Sequence, residues 1–144
     1  PPFYKNFGKR ITKSPKLYFF DTGLVSFLTG INDVEVFERG PMYGPLFENY
    51  VVSDIMKRQM HTKADSELFY FRTSNGVEID LILDRKTERE YFEIKVSESY
   101  RSEMTRPMET IKTESEKGYL LYRGKGVHST PDMQIINYKK YLGR

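Results

Sequence analysis

Residues 67–97 read ELFYFRTSNGVEIDLILDRKTEREYFEIKVS, and the fold turns on how this stretch divides. Residues 67–74 and 77–84 are two expected strands separated by Asn75-Gly76, a pair that favours a type I′ hairpin turn. Residues 90–97 form the third. Alternation sets Val77, Ile79, Leu81 and Leu83 on one face of the second strand, and Glu78, Asp80 and Ile82 on the other. In the third strand Phe92, Ile94 and Val96 share one face while Tyr91, Glu93, Lys95 and Ser97 share the opposite one. Each strand is thus apolar on one side and chemically loaded on the other. If Leu83 pairs with Glu90, Asp80 falls opposite Glu93, with Cβ atoms about 5 Å apart. One residue of slip would separate the two acids. Two carboxylates that close repel unless a proton or a cation intervenes, and a divalent metal resolves the conflict. The plainer alternative is a solvated polar face carrying a cross-strand Glu–Lys balance.

Upstream, Pro45 suits the first turn of a helix running to about residue 59, with Phe47, Tyr50, Val51, Ile55 and Met56 at helical spacing. Glu48 has Val51, Val52 and Ile55 at i+3, i+4 and i+7. A carboxylate in an apolar stripe is costly unless paired or liganded. Placement in the first turn of the helix is the competing explanation, and both stay open. Residues 16–20 read as a short aromatic strand, followed by a helix over 23–29 that Asp21 or Thr22 caps and Gly30 ends. Residues 31–43 read as loop or irregular helix. Downstream, a helix within 102–116 has its start confined by Pro107. Strands at 119–123 and 133–137 and a short basic helix complete the chain. The order of helix, three-strand meander, helix and strand predicts an α/β sandwich with the meander central. Residues 1–43 form a basic N-terminal strand–helix extension and residues 44–144 the main domain.

The 144 residues include no cysteine and two histidines, which excludes disulfides, thiolate sites and cysteine nucleophiles. A metal would need carboxylate ligands, favouring Mg2+ or Mn2+. The longest uncharged run, 22–32, is far short of the ~18 apolar residues that span a bilayer. With a polar, basic start and no signal peptide, the expectation is a soluble, cytoplasmic domain without membrane contact. The absence of an initial methionine makes a fragment of a longer protein the expectation. Residues 1–16 hold five Lys/Arg and no acid, residues 117–144 six against Asp132, and the middle carries a net −7. Such basic ends suit a phosphate backbone meeting an acidic centre. Lys5, Lys9, Arg10, Lys13 and Lys16 are candidates for backbone contact or for facing another domain. Arg72 and Thr73 are further candidates for nucleic-acid contact, although closing the turn is the favoured role for Thr73. No G-x-x-x-x-G-K-[ST] loop occurs, so no ATP site is expected in these residues.

Glu48 on a helix, Asp80 on a strand and Glu93-Ile94-Lys95 on the next resemble the PD-(D/E)xK nuclease superfamily. The strings KSPKLYFFDTGL (13–24), GPLFENYVV (44–52), YFRTSNGVEIDLIL (70–83) and FEIKVS (92–97) also resemble the C-terminal domain, of unknown function, of a large prokaryotic AAA-type ATPase family. The resemblance implies a restriction-endonuclease-like core and an ATPase domain upstream in the parent chain. It implies Asp80, Glu93 and the Ile94 carbonyl as ligands of Mg2+ or Mn2+. Lys95 would orient or help deprotonate the attacking water, and Glu48 would complete the site through a water or a second metal. The implied reaction is phosphodiester hydrolysis of nucleic acid, DNA foremost. The alternative is a non-catalytic module that binds nucleic acid or protein and regulates the attached ATPase.

Overall fold

A computed structural model of the chain describes residues 2, 15–31, 33–63, 65–74, 76–126 and 129–143. The expected order of elements recurs in it. Helices α1 (Thr22–Leu28) and α2 (Val34–Arg39) precede the long α3 (Tyr43–His61). Strands β1 (Glu67–Arg72), β2 (Glu78–Asp84) and β3 (Arg89–Lys95) follow, then a 3-10 turn (Ser102–Met104) and α4 (Arg106–Ile111). Strands β4 (Lys117–Tyr122) and β5 (Met133–Asn137) and helix α5 (Tyr138–Tyr141) close the chain. Asp21 caps α1 by accepting the N–H groups of Gly23 and Leu24, and Asp33 does the same for α2 with Glu35 and Val36.

The five strands form one mixed sheet in the order β1-β2-β3-β4-β5. The first three pair antiparallel, whereas β4 runs parallel to β3 and β5 parallel to β4. β3 is therefore central and the meander lies toward one edge, contrary to the expected central meander. The reason is the crossover through α4, which brings β4 back alongside β3 and extends the sheet on that side only.

Two cores flank the sheet. Phe47, Val51, Val52 and Ile55 of α3 pack with Leu81, Leu83, Phe92, Ile94 and Leu121, while Tyr138 of α5 closes edge-on over Phe47 at 4.9 Å. On the other core Met104 and Met108 pack with Ile79, Ile82, Tyr91, Leu120 and Tyr122. Leu83 lies opposite Glu90 as expected. The alternation fails at one point. Phe69 pairs with Ile82 but Phe71 with Ile79, so Asp80 and Leu81 together oppose Tyr70. This bulge moves Ile79 into the core of Ile82, away from Leu81 and Leu83, where strict alternation had placed it.

The strand expected over 16–20 is instead an extended strap with no ladder in the described residues. Its bonds go to a side chain: Asn49 of α3 accepts the Phe19 N–H at 2.7 Å and donates to the Phe19 carbonyl at 2.8 Å. Tyr18 packs against the α3 core, and Val25 of α1 is buried. The turn after β1 is closed by Thr73, whose N–H meets the Val77 carbonyl at 2.9 Å and whose hydroxyl accepts the Val77 N–H at 3.0 Å. Gly76 takes φ +84°, the left-handed conformation expected of it, while Asn75 lies outside the described residues. Among the described residues no helix is long and apolar enough to cross a membrane.

Candidate functional site

The bulge and the central strand together position the acids. The β2–β3 ladder runs as far as Leu81–Phe92, one step short of Asp80 and Glu93. Beyond it the Asp80 carboxylate reaches across and accepts the Ile94 N–H through Oδ2 at 2.8 Å. Lys95 then joins the two acids, with Nζ 2.5 Å from Glu93 Oε1 and 3.6 Å from Asp80 Oδ2. Asp80 and Glu93 are both buried, at 6% and 5% exposure. Burial pushes Asp80 up to about 6, with Glu48 adding to the shift and Lys95 opposing it. Burial, then the neighbouring Asp80, pushes Glu93 up to about 7 against the pull of Lys95. For Lys95 burial disfavours the charge, but Asp80 and Glu93 outweigh it and raise the ammonium above its ordinary value. Lys95 is accordingly a cation at neutral pH.

Glu48 is not in the first turn of its helix, because α3 begins at Tyr43. The dipole explanation therefore drops out, and pairing takes its place. Glu48 Oε1 accepts from Tyr18 Oη at 2.6 Å and from Lys16 Nζ at 3.1 Å, so both partners come from the strap. Lys16 Nζ also lies 2.7 Å from Glu78 Oε1 and 3.9 Å from Asp80 Oδ1. Burial and the three surrounding carboxylates push the Tyr18 phenol far above its usual range, which keeps it a hydrogen-bond donor. Sequence reasoning brought together Glu48, Asp80, Glu93 and Lys95 but gave Lys16, Tyr18 and Glu78 no place in the cluster. A usable signal existed: Lys16 and Tyr18, two apart in an extended segment, necessarily share a face.

Of the expected backbone contacts, Lys5, Lys9, Arg10 and Lys13 lie outside the described residues. Arg72 is exposed on β1 with Nε 3.8 Å from Glu78 Oε2, and the Thr73 hydroxyl is engaged in the turn. A cleft of about 400 Å³ opens beside Asp80, lined by Lys16, Tyr18, Val52, Met56 and Tyr70 among others. A larger hollow of about 540 Å³ lies elsewhere, at Lys112, Thr130 and Asp132, where Lys112 and Asp132 satisfy each other at 2.8 Å.

One observation bears directly on a metal. Glu93 Oε2 is buried without a hydrogen-bond partner among the described residues, an arrangement that costs free energy unless something binds there. Two hard, buried carboxylates fit Mg2+ or Mn2+ by donor type. Among the described residues no three acidic or imidazole side chains converge as a ready-made cage. The fit is therefore to a two-carboxylate site completed by backbone and solvent, with Ile94 next to Glu93 in the chain and bonded through its N–H to Asp80.

Comparison with known proteins adds family context. The family model described as domain of unknown function DUF4143 matches residues 43–141, and a second, domain of unknown function DUF8612, matches residues 1–35. Lys16 and Tyr18 thus fall within the second match and the remaining cluster residues within the first. An uncharacterized protein of Mycobacterium bovis and another of Mycobacterium tuberculosis are each 37% identical over 94 residues. That alignment covers 65% of this chain and 20% of each relative, so the chain spans about a fifth of the length of the curated relatives it matches. No solved structure matches the chain.

Proposed function

The chain belongs to the DUF4143 family, and from that premise we propose that it is a metal-dependent phosphodiester hydrolase domain of restriction-endonuclease-like type, acting on nucleic acid within an ATPase-containing parent. The observation that carries the reading is the buried Asp80–Glu93 pair bridged by Lys95, with Glu93 Oε2 left without a hydrogen-bond partner among the described residues. Asp80 and Glu93, with the Ile94 carbonyl, would hold Mg2+ or Mn2+, which supplies Lewis acidity toward a phosphoryl oxygen and charge neutralisation. The ammonium of Lys95 orients the attacking water and stabilises charge on the phosphoryl oxygens. Asp80 holds β3 in place by accepting the Ile94 N–H at Oδ2, while its Oδ1 lies 3.9 Å from the Lys16 ammonium. Glu48 supports the site from α3 through Lys16 and Tyr18.

The test is cleavage of labelled single- and double-stranded DNA and RNA in Mn2+. Lys95→Ala should lower the rate by about 10²–10⁴-fold, and Asp80→Ala should abolish it. Cleavage retained in both variants would reject the assignment. A second reading, an interaction module that regulates the parent ATPase, is favoured by the apolar side chains exposed on α1 and α2, including Leu24, Phe27, Leu28, Val34 and Val36. On that reading the same two variants leave partner binding unchanged.

A further inference from the structure

Two ammonium groups divide four carboxylates in this cluster. Lys95 takes Glu93 and Asp80 Oδ2, while Lys16 takes Glu78, Glu48 and the Asp80 Oδ1 side. Asp80 stands between them with one oxygen toward each.

Lys95 belongs to the central strand, but Lys16 is brought in by the strap. That strap is fixed independently of Lys16, by the two-point bond of Asn49 to the Phe19 backbone and by Lys57 Nζ on the Phe20 carbonyl at 2.8 Å. Tyr18 adds its bond to Glu48 at 2.6 Å. The Lys16 side chain is three-quarters buried, at 25% exposure, so its ammonium is held in the cluster rather than swinging in solvent.

Glu48, Glu78 and Asp80 lie 3.1, 2.7 and 3.9 Å from the Lys16 ammonium; they are not spaced as a ready-made metal cage, and their side chains would have to close in to take a divalent ion in its place. Ammonium hydrogens and a metal compete for the same carboxylate lone pairs, and a metal bonded at about 2.0–2.2 Å to Glu48 and Glu78 would overlap the volume that Lys16 Nζ fills. Occupancy by one excludes the other.

We propose that Lys16 is the resident second cation of this site, confining divalent metal to the Asp80–Glu93 side and withholding Glu48 and Glu78 from metal ligation. This rests on the reading of Asp80 and Glu93 as metal ligands and makes the chemistry one-metal, with an ammonium in the place of a second ion. Glu48 becomes a positioning residue for Lys16, in place of the ligand role implied by its resemblance to nuclease motifs. The charge balance follows directly. With all four carboxylates ionised, as metal binding requires, the two ammonium groups leave two negative charges, which one divalent ion neutralises.

Calorimetric titration of Mn2+ into the chain at neutral pH tests this by stoichiometry. The wild type and Lys16→Arg should each bind one ion. Lys16→Met should bind two, and the added one should vanish when Glu48→Gln is combined with it. If circular dichroism shows Lys16→Met to be misfolded, Lys16→Gln, which keeps a hydrogen-bond donor, replaces it with the same expected counts. A folded Lys16→Met or Lys16→Gln variant that binds the same number of ions with the same affinity as wild type overturns the proposal. Failure of the underlying reading looks different: the wild type then binds no Mn2+. In that case a single ion gained by Lys16→Met and lost with Glu48→Gln still upholds the role of Lys16, and none gained rejects it.

Discussion

Asn49 shows how one residue can decide whether a site is assembled. It is 6% exposed on α3 and spends its amide on both polar groups of Phe19, which otherwise have no strand partner in the described residues. Asn49→Ala should cost about 2 kcal/mol in urea denaturation, one hydrogen bond for each half of the amide, with backbone groups left unpaired. An effect near zero would mean that the strap is not anchored there. Legibility at this scale was uneven. Asp80 and Glu93 were readable because alternation and the Leu83–Glu90 pairing are local properties of the sequence. The bulge at Asp80 and Leu81 was not, since an inserted residue leaves no mark in a string of apolar and acidic residues. Asp80 kept its place near β3 because its carboxylate reaches the Ile94 N–H, a bond that pattern reading cannot see.

At the scale of elements, long periodic segments were legible and short ones depended on partners. Helix α3 starts at Tyr43 and ends at His61, two residues beyond the expected limits at each end, and buries the expected Phe47, Val51 and Ile55. The aromatic run 16–20 has strand composition, yet among the described residues no sheet edge receives it, and so it becomes a strap. The link from α4 into β4 depends on Glu116, whose carboxylate accepts from the Thr113 N–H at 2.7 Å, Tyr91 Oη at 3.1 Å and Arg89 Nη1 at 3.3 Å. Burial opposes that charge, but these donors outweigh it and hold the carboxyl below its ordinary 4.5. The stability it contributes is therefore complete above pH 4.5 and lost as pH falls through the depressed value. Glu116→Gln should lower stability at neutral pH and flatten the acid limb of the stability–pH curve. An unchanged acid limb would show that Glu116 does not couple α4 to the sheet.

For the whole molecule, the sheet is a platform that gathers chemistry from four places: the strap, α3, the bulged β2 and the central β3. The two family matches, 1–35 and 43–141, meet at this cluster, since Lys16 and Tyr18 come from the first and Glu48, Asp80, Glu93 and Lys95 from the second. The element order and the mixed α/β class were legible because each element carries its own period. The strap's part in the site was not, because nothing local links Lys16 to Glu78, sixty-two positions away. The central claim, that the buried Asp80–Glu93 pair holds a divalent cation, is tested most directly by Mn2+ calorimetry on the wild type and Asp80→Asn at neutral pH. The account predicts saturable binding in the wild type that disappears in the variant. Equal binding by both proteins, or none by either, would contradict it.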